Sequence, residues 1–260
     1  MMGLETSHRG RCSLFVALCA GLVGTSVSRQ RPPQPSAFAL SPGFRVGERL
    51  TYQAKLNFVK AGSATMSVEG VEPIRGRAAY HTVFDVRGRV LFFHVNDHYE
   101  SWFDTTNLSS LRMIQRIDQG DYDAKRDYEF FPERRVYLRN GEERPSVAEP
   151  LDEGSFIYFM RSIPLEVGRT YEFDRYYHLD RNPVVIKVVR RERIQVPIGE
   201  FDAILVEPVI KSKGIFSEAG QAQVWFADDS TRRVLRLKSK LSFGTLYLEL
   251  KGAEVIPARP

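Results

Sequence analysis

The stretch from Glu48 to Phe58, ERLTYQAKLNF, constrains the fold more than any other part of the chain. Leu50, Tyr52, Ala54, Leu56 and Phe58 alternate with Arg49, Thr51, Gln53, Lys55 and Asn57. Strand side chains point to opposite faces in turn, so this period of two specifies a strand with one buried and one wet face. An antiparallel sheet is the usual setting for such a strand. Gly62 breaks the run, and Ala64, Met66 and Val68 resume it. Similar patterns predict strands over Ala79–Val86, Tyr99–Phe103, Leu111–Ile117, Tyr122–Phe130 and Arg135–Arg139. They return over Thr170–His178, Val184–Val196, Ala203–Lys211, Gln221–Ala227, Val234–Phe243 and Thr245–Leu250. Gln119-Gly120 and Asn140-Gly141 are turn signals between them.

One segment departs from this period. In DEGSFIYFMRSIP, Phe156, Phe159, Met160 and Ile163 recur at helical spacing. Asp152 is placed to cap the N-terminus and Pro164 to end the helix. The 17 Phe and 11 Tyr suit strands, and 260 residues suffice for one large all-β domain. The expected fold is mainly β: a large curved antiparallel sheet, as a half-barrel or two similar halves, with one central amphipathic α-helix.

A duplication is expected within residues 44–256, with halves 44–150 and 164–256. VGERLTY at Val46 is echoed by VGRTYEF at Val167, and WFDTTNLSSLR at Trp102 by WFADDSTRRVLR at Trp225. Chance resemblance is the alternative, since few residues are identical.

Residues 1–28 read as a signal peptide. Arg9 and Arg11 precede the apolar run Leu14–Val23, which is short for a bilayer span, and Ser26-Val27-Ser28 offers a cleavage site. Ala37-Phe38-Ala39 is a second cleavage candidate, and an uncleaved membrane anchor is the alternative. Cys19 follows Leu18 rather than a small residue, which argues against a lipid-modified cysteine. Residues 29–43 form a Pro-rich linker. Both cysteines, Cys12 and Cys19, fall within the signal, so the mature chain is expected to lack disulfides, thiolate metal sites and a cysteine nucleophile. Export to the periplasm is the expectation.

The candidate chemistry is sparse. VLFFHVNDHYESWFD gathers His94, Asp97, His98 and Glu100, with His81 not far upstream. On a helix His94 and His98 would lie one turn apart and could share a metal. On a strand they lie roughly 13 Å apart and could not. The strand reading prevails, so no metal site is expected. Asp228-Asp229 resembles a carboxylate dyad, but DDST between two strands is better read as a turn. Arg236, Lys238 and Lys240 form a basic stripe that could meet lipid phosphates but is more often a wet sheet face. Charge signs are mixed and the net charge is +5, a balance that does not demand an anionic partner. No P-loop, G-x-S-x-G, HExxH or dinucleotide fingerprint occurs. No cofactor, catalytic residue or nucleic-acid partner is expected.

Four stretches together carry a resemblance: FRVGERLTYQAKLNFVKAGSATMSV, DEGSFIYFMRSIPLEVGRTYEF, ERIQVPIGEFDAILVEP and QVWFADDSTRRVLRLKSKLSFGTLYLEL. They resemble the bacterial family called domain of unknown function 3108, from about Phe44 to Ile256. The D-x-x-S-x-x-Y-x-x-R helix and the W-F-x-D-D turn are its distinctive parts. Gly154, where a better helix former is expected, and Val234, where the family often has Pro, are departures. The resemblance implies export and a β-rich fold but no catalytic residues. A weaker, fold-level similarity is to periplasmic lipoprotein carriers of the LolA/LolB type.

The leading functional expectation is a non-enzymatic envelope protein that binds a lipid, lipoprotein acyl chain or other amphiphile on the concave face. Tyr52, Leu56, Phe58, Phe156, Phe159 and Met160 are the candidate ligand-binding residues. The alternative is a module with a filled core that presents its surface to an envelope protein partner. A glycan or lipid hydrolase is the disfavoured third reading, since no nucleophile–base arrangement is legible.

Overall fold

The computed structural model describes residues 40–90, 93–211, 216, 221–241 and 244–257. The expected signal peptide and residues 29–39 of the expected linker lie outside them. The strands of the first part are β1 (Glu48–Leu56), β2 (Val59–Ile74), β3 (Arg77–Val90), β4 (Phe93–Asp104), β5 (Ser110–Gln119), β6 (Tyr122–Phe131), β7 (Val136–Arg139) and β8 (Glu142–Pro145). Helix α1 (Glu153–Ser162) follows. The chain continues through β9 (Thr170–Phe173), β10 (Val184–Val196), β11 (Gly199–Val209), β12 (Gln223–Ala227), β13 (Val234–Leu241) and β14 (Gly244–Val255). All belong to one antiparallel sheet in the order β8-β7-β6-β5-β4-β3-β2-β1-β14-β13-β12-β11-β10-β9, curved and unclosed.

The curvature follows from what the helix touches. The Phe103 ring of β4 lies 5.4 Å from Tyr158, and the Phe173 ring of β9 lies 4.9 Å from Phe159. Nine strand steps separate β4 from β9 in the sheet. Laid flat, these would span about 43 Å, against a helix about 10–12 Å across. Both strands reach α1 because the sheet rolls around it. The β8 end meets the β9–β10 connection, where Ser146 Oγ donates to the Tyr177 carbonyl at 3.0 Å and Leu151 bridges to Tyr176. Tyr128, Phe130 and Tyr137 pack edge-on against Tyr177 there.

Two expectations need correction. The alternation was extended through Phe58, but β1 ends at Leu56. Asn57 and Phe58 form the hairpin turn, both with positive φ (47° and 72°), so Phe58 leaves the inward face and points to solvent. The strand expected over Thr170–His178 also stops early, at Phe173. Every residue of α1 from Ser155 to Ser162 is buried, because the rolled sheet wraps it.

The sets β1–β6 and β9–β14 share a detailed register. Gly47 and Gly168 both have positive φ, and their N–H groups donate to Val68 and Val188 at 2.8 and 2.9 Å. A bulge follows each valine, between Val68 and Gly70 and between Val188 and Arg190. Further bulges separate Trp102 from Phe103 and Trp225 from Phe226. Trp102 donates to Glu72 at 2.8 Å and lies under Arg112, while Trp225 donates to Glu192 at 2.7 Å and lies under Arg236. Strands β7 and β8 lie outside this correspondence.

Candidate functional site

Four of the six candidate ligand-binding residues come together inside the rolled sheet. Tyr52, Phe156, Phe159 and Met160 are at most 2% exposed and belong to one continuous apolar cluster. Phe156 stacks edge-on to Phe216, and Arg175 lies 4.8 Å over the Phe159 ring. Burial lowers the Arg175 pKa to about 10. Tyr52 Oη donates to the Val234 carbonyl at 3.0 Å, and burial pushes its phenol pKa well up. Leu56 is only half-buried, near the turn. Phe58 is 76% exposed and lies outside the buried apolar cluster. The concave face is therefore occupied by the protein's own helix.

The D-x-x-S-x-x-Y-x-x-R spacing is the polar ridge that lets a helix be buried on all sides. Residues three apart lie on one face. Asp152 Oδ1 accepts from the Gly154 and Ser155 amides at 2.7 and 2.9 Å, and Ser155 Oγ receives the Asp152 amide at 3.0 Å, a reciprocal cap. Ser101 Oγ of β4 donates to Asp152 at 2.7 Å. Burial, only partly opposed by these hydrogen bonds, raises the Asp152 pKa to about 6. Gly154 has a steric reason: a Cβ there would lie 2.8 Å from Ser101 Cβ, so a better helix former would push α1 off β4. Tyr158 Oη reaches the Ser67 carbonyl. Arg161 closes the ridge with bonds to both Glu48 oxygens and to the Gly43 and Thr231 carbonyls. The motif itself was legible in the sequence. Its partners were not, because Glu48 lies 113 residues away.

His81 lies on β3 and His94 and His98 on β4, and carboxylates hold all three, Glu100 being shared by His81 and His98. His94 Nε2 lies 2.7 Å from Asp118, and His98 lies 2.9 Å from Asp85 and 3.3 Å from Glu100. His81 sits between Glu72 and Glu100, 2.9 Å from each, and stacks on Trp102. Burial works against the charge on His98, but its hydrogen bonds to Asp85 and Glu100 outweigh it and raise the pKa. Among the described residues, no three His, Cys, Asp or Glu side chains are placed to hold one metal ion. A cleft of about 320 Å³ beside this row is lined by Asp85, His98, Arg116 and Asp123, with no hydroxyl or thiol among its lining residues. A second cleft, of about 530 Å³, lies where Phe44 and Arg45 meet Thr231 and Arg233, and its Glu48 is already engaged by Arg161. Asp229 accepts from the Thr231 amide and hydroxyl, as a turn residue does. In the basic stripe Arg236 bonds Glu249, Lys238 bonds Gln223, and Lys240 is exposed.

A family model described as "Protein of unknown function (DUF3108)" matches residues 51–251. Among solved structures, a β-barrel-like protein of domain of unknown function 1849 from Brucella abortus is 11% identical, covering 85% of this chain and 100% of its own, with a TM-score of 0.53. A candidate lipoprotein from Parabacteroides distasonis is 10% identical over 84% of this chain and 100% of its own, with a TM-score of 0.37. A candidate exported protein with a YmcC-like fold from Bacteroides fragilis is 12% identical over 84% and 100%, with a TM-score of 0.31. No curated protein matches the chain.

Proposed function

The chain belongs to the domain of unknown function 3108 family, and on that footing we propose that it is an exported, non-enzymatic scaffold of the bacterial envelope, with its working surface on the outside of the rolled sheet. The observation that carries this is the burial of α1 on every side from Ser155 to Ser162. A sheet already filled by its own helix has its inner apolar face satisfied. What remains for recognition is the convex face and the hairpin ends. Export rests on Arg9, Arg11 and the Leu14–Val23 run, with the periplasm as destination. The shared register of β1–β6 and β9–β14 suits duplication of a six-strand unit.

Native mass spectrometry of protein purified from the envelope tests this reading. The expected mass is that of the polypeptide alone. One co-purified lipid per chain would return the function to the concave face and favour a carrier whose helix yields to its cargo.

A further inference from the structure

The β1–β2 hairpin tip has an unusual residue in an unusual place. A two-residue turn with positive φ at both positions favours Asn-Gly, because only glycine adopts the second conformation without steric cost. Here Asn57 (φ 47°) is followed by Phe58 (φ 72°). A bulky residue at positive φ is an outlier, and such outliers cluster where function requires them. Packing does not account for it: Phe58 is 76% exposed and Val59 66%, the two most exposed large apolar side chains among the described residues. The tip is also fixed in place. Asn57 donates its amide to the Thr245 carbonyl at 2.9 Å and accepts the Thr245 amide on Oδ1 at 2.8 Å, and the Phe58 ring leans on Tyr247. The phenyl group is thus presented on a braced hairpin.

Exposed cations flank the tip among the described residues. Lys60 follows the tip and is exposed. Arg87 and Arg89, at the same end of neighbouring β3, are exposed, and Gly88 pairs with Gly62 to bring that strand alongside. Lys240 pairs with Thr245, level with Asn57 on the other side. Lys55 is matched by Glu249 at 2.5 Å, so this acid is already neutralised. An exposed apolar pair with exposed cations on the neighbouring strands complements a surface that offers acyl chains beneath negative headgroups. We infer that the Asn57–Lys60 tip, flanked by Arg87, Arg89 and Lys240, docks the protein on an anionic lipid bilayer, with Phe58 and Val59 entering the interface. This goes beyond the scaffold reading, which stands or falls on the filled core alone.

The test uses a reporter at the tip itself, so that any contribution of the N-terminal apolar run does not enter. In the full chain, Phe58→Trp adds a fluorophore at the exposed tip, while Trp102 and Trp225 are buried and give a constant background. Vesicles of phosphatidylethanolamine and phosphatidylglycerol should shift the added emission to the blue and allow quenching by brominated acyl chains. Lys60→Gln and Arg89→Gln in that background should each weaken the response about fivefold. Raising salt to about 0.5 M should weaken it further. Val59→Trp is the second probe should the first variant fail to fold. Phe58→Gly should leave the melting temperature unchanged or raise it, since the turn becomes Asn-Gly. Unchanged tip emission with anionic vesicles would overturn the inference, as would an equal response to phosphatidylcholine alone. A large loss of stability in Phe58→Gly would show that the ring is kept for folding and would also overturn it.

Discussion

Arg161 lies 2.6 Å from Glu48 with its side chain 1% exposed, and the pair joins the last turn of α1 to the first strand of the sheet. The second guanidinium nitrogen bonds Glu48 again and the carbonyls of Gly43 and Thr231, so one side chain ties the helix to β1, the segment before it and the β12–β13 turn. Breaking a buried pair from one side leaves an uncompensated charge. Arg161→Met should therefore cost about 3–5 kcal/mol in urea unfolding. Glu48→Leu combined with Arg161→Met should recover much of that loss, because no charge is then stranded.

Asp152 gives the fold an acid-side signature. Its folded pKa of about 6 exceeds the ordinary 3.8 because the carboxylate is buried. The protonated carboxyl favours the folded state, so its contribution is fully present below about pH 4 and is lost as pH rises through about 6. The swing has an upper bound of about 3 kcal/mol. Asp152→Asn keeps an oxygen for the cap and should remove this pH dependence. Stability of parent and variant at pH 7.5 and 4.5 checks it: the variant should gain relative to the parent at the higher pH.

The histidines should titrate in opposite directions. His98 is held above its ordinary range by Asp85 and Glu100 against the effect of burial. His178 is lowered to about 4, first by burial and then by the Arg181 charge. NMR titration of ring protons should show His178 neutral at pH 5.5 while His98 is charged. Equal midpoints would contradict both environments.

Much of this fold is legible in the sequence, and the gaps have physical causes. Alternation marks strands such as β1 and β10 because their two faces meet different media. Asp152 and Pro164 bracket the helix because caps are local chemistry. What alternation does not carry is curvature. Whether Phe156, Phe159 and Met160 face a ligand or a wall depends on how far the sheet rolls, which is a sum over fourteen strands. Phe58 was misread because parity holds only while the strand lasts, and Asn57-Phe58 lacks the glycine that announces such a turn. Glu48 shares the inward parity of Leu50 and Tyr52, and nothing near it in sequence points to Arg161. The paired tryptophans were visible as a repeat, but their glutamates were not, since each lies two strands away.

The central claim is that α1 fills the sheet, and Phe159 tests it most directly. The ring is 2% exposed, packed edge-on to Phe173 and covered by Arg175. In a filled core, Phe159→Ala should cost about 3–5 kcal/mol in urea unfolding, and the parent protein should bind no apolar dye. A loss below about 1 kcal/mol, with dye binding by the parent that the substitution abolishes, would contradict the account and make the helix a lid.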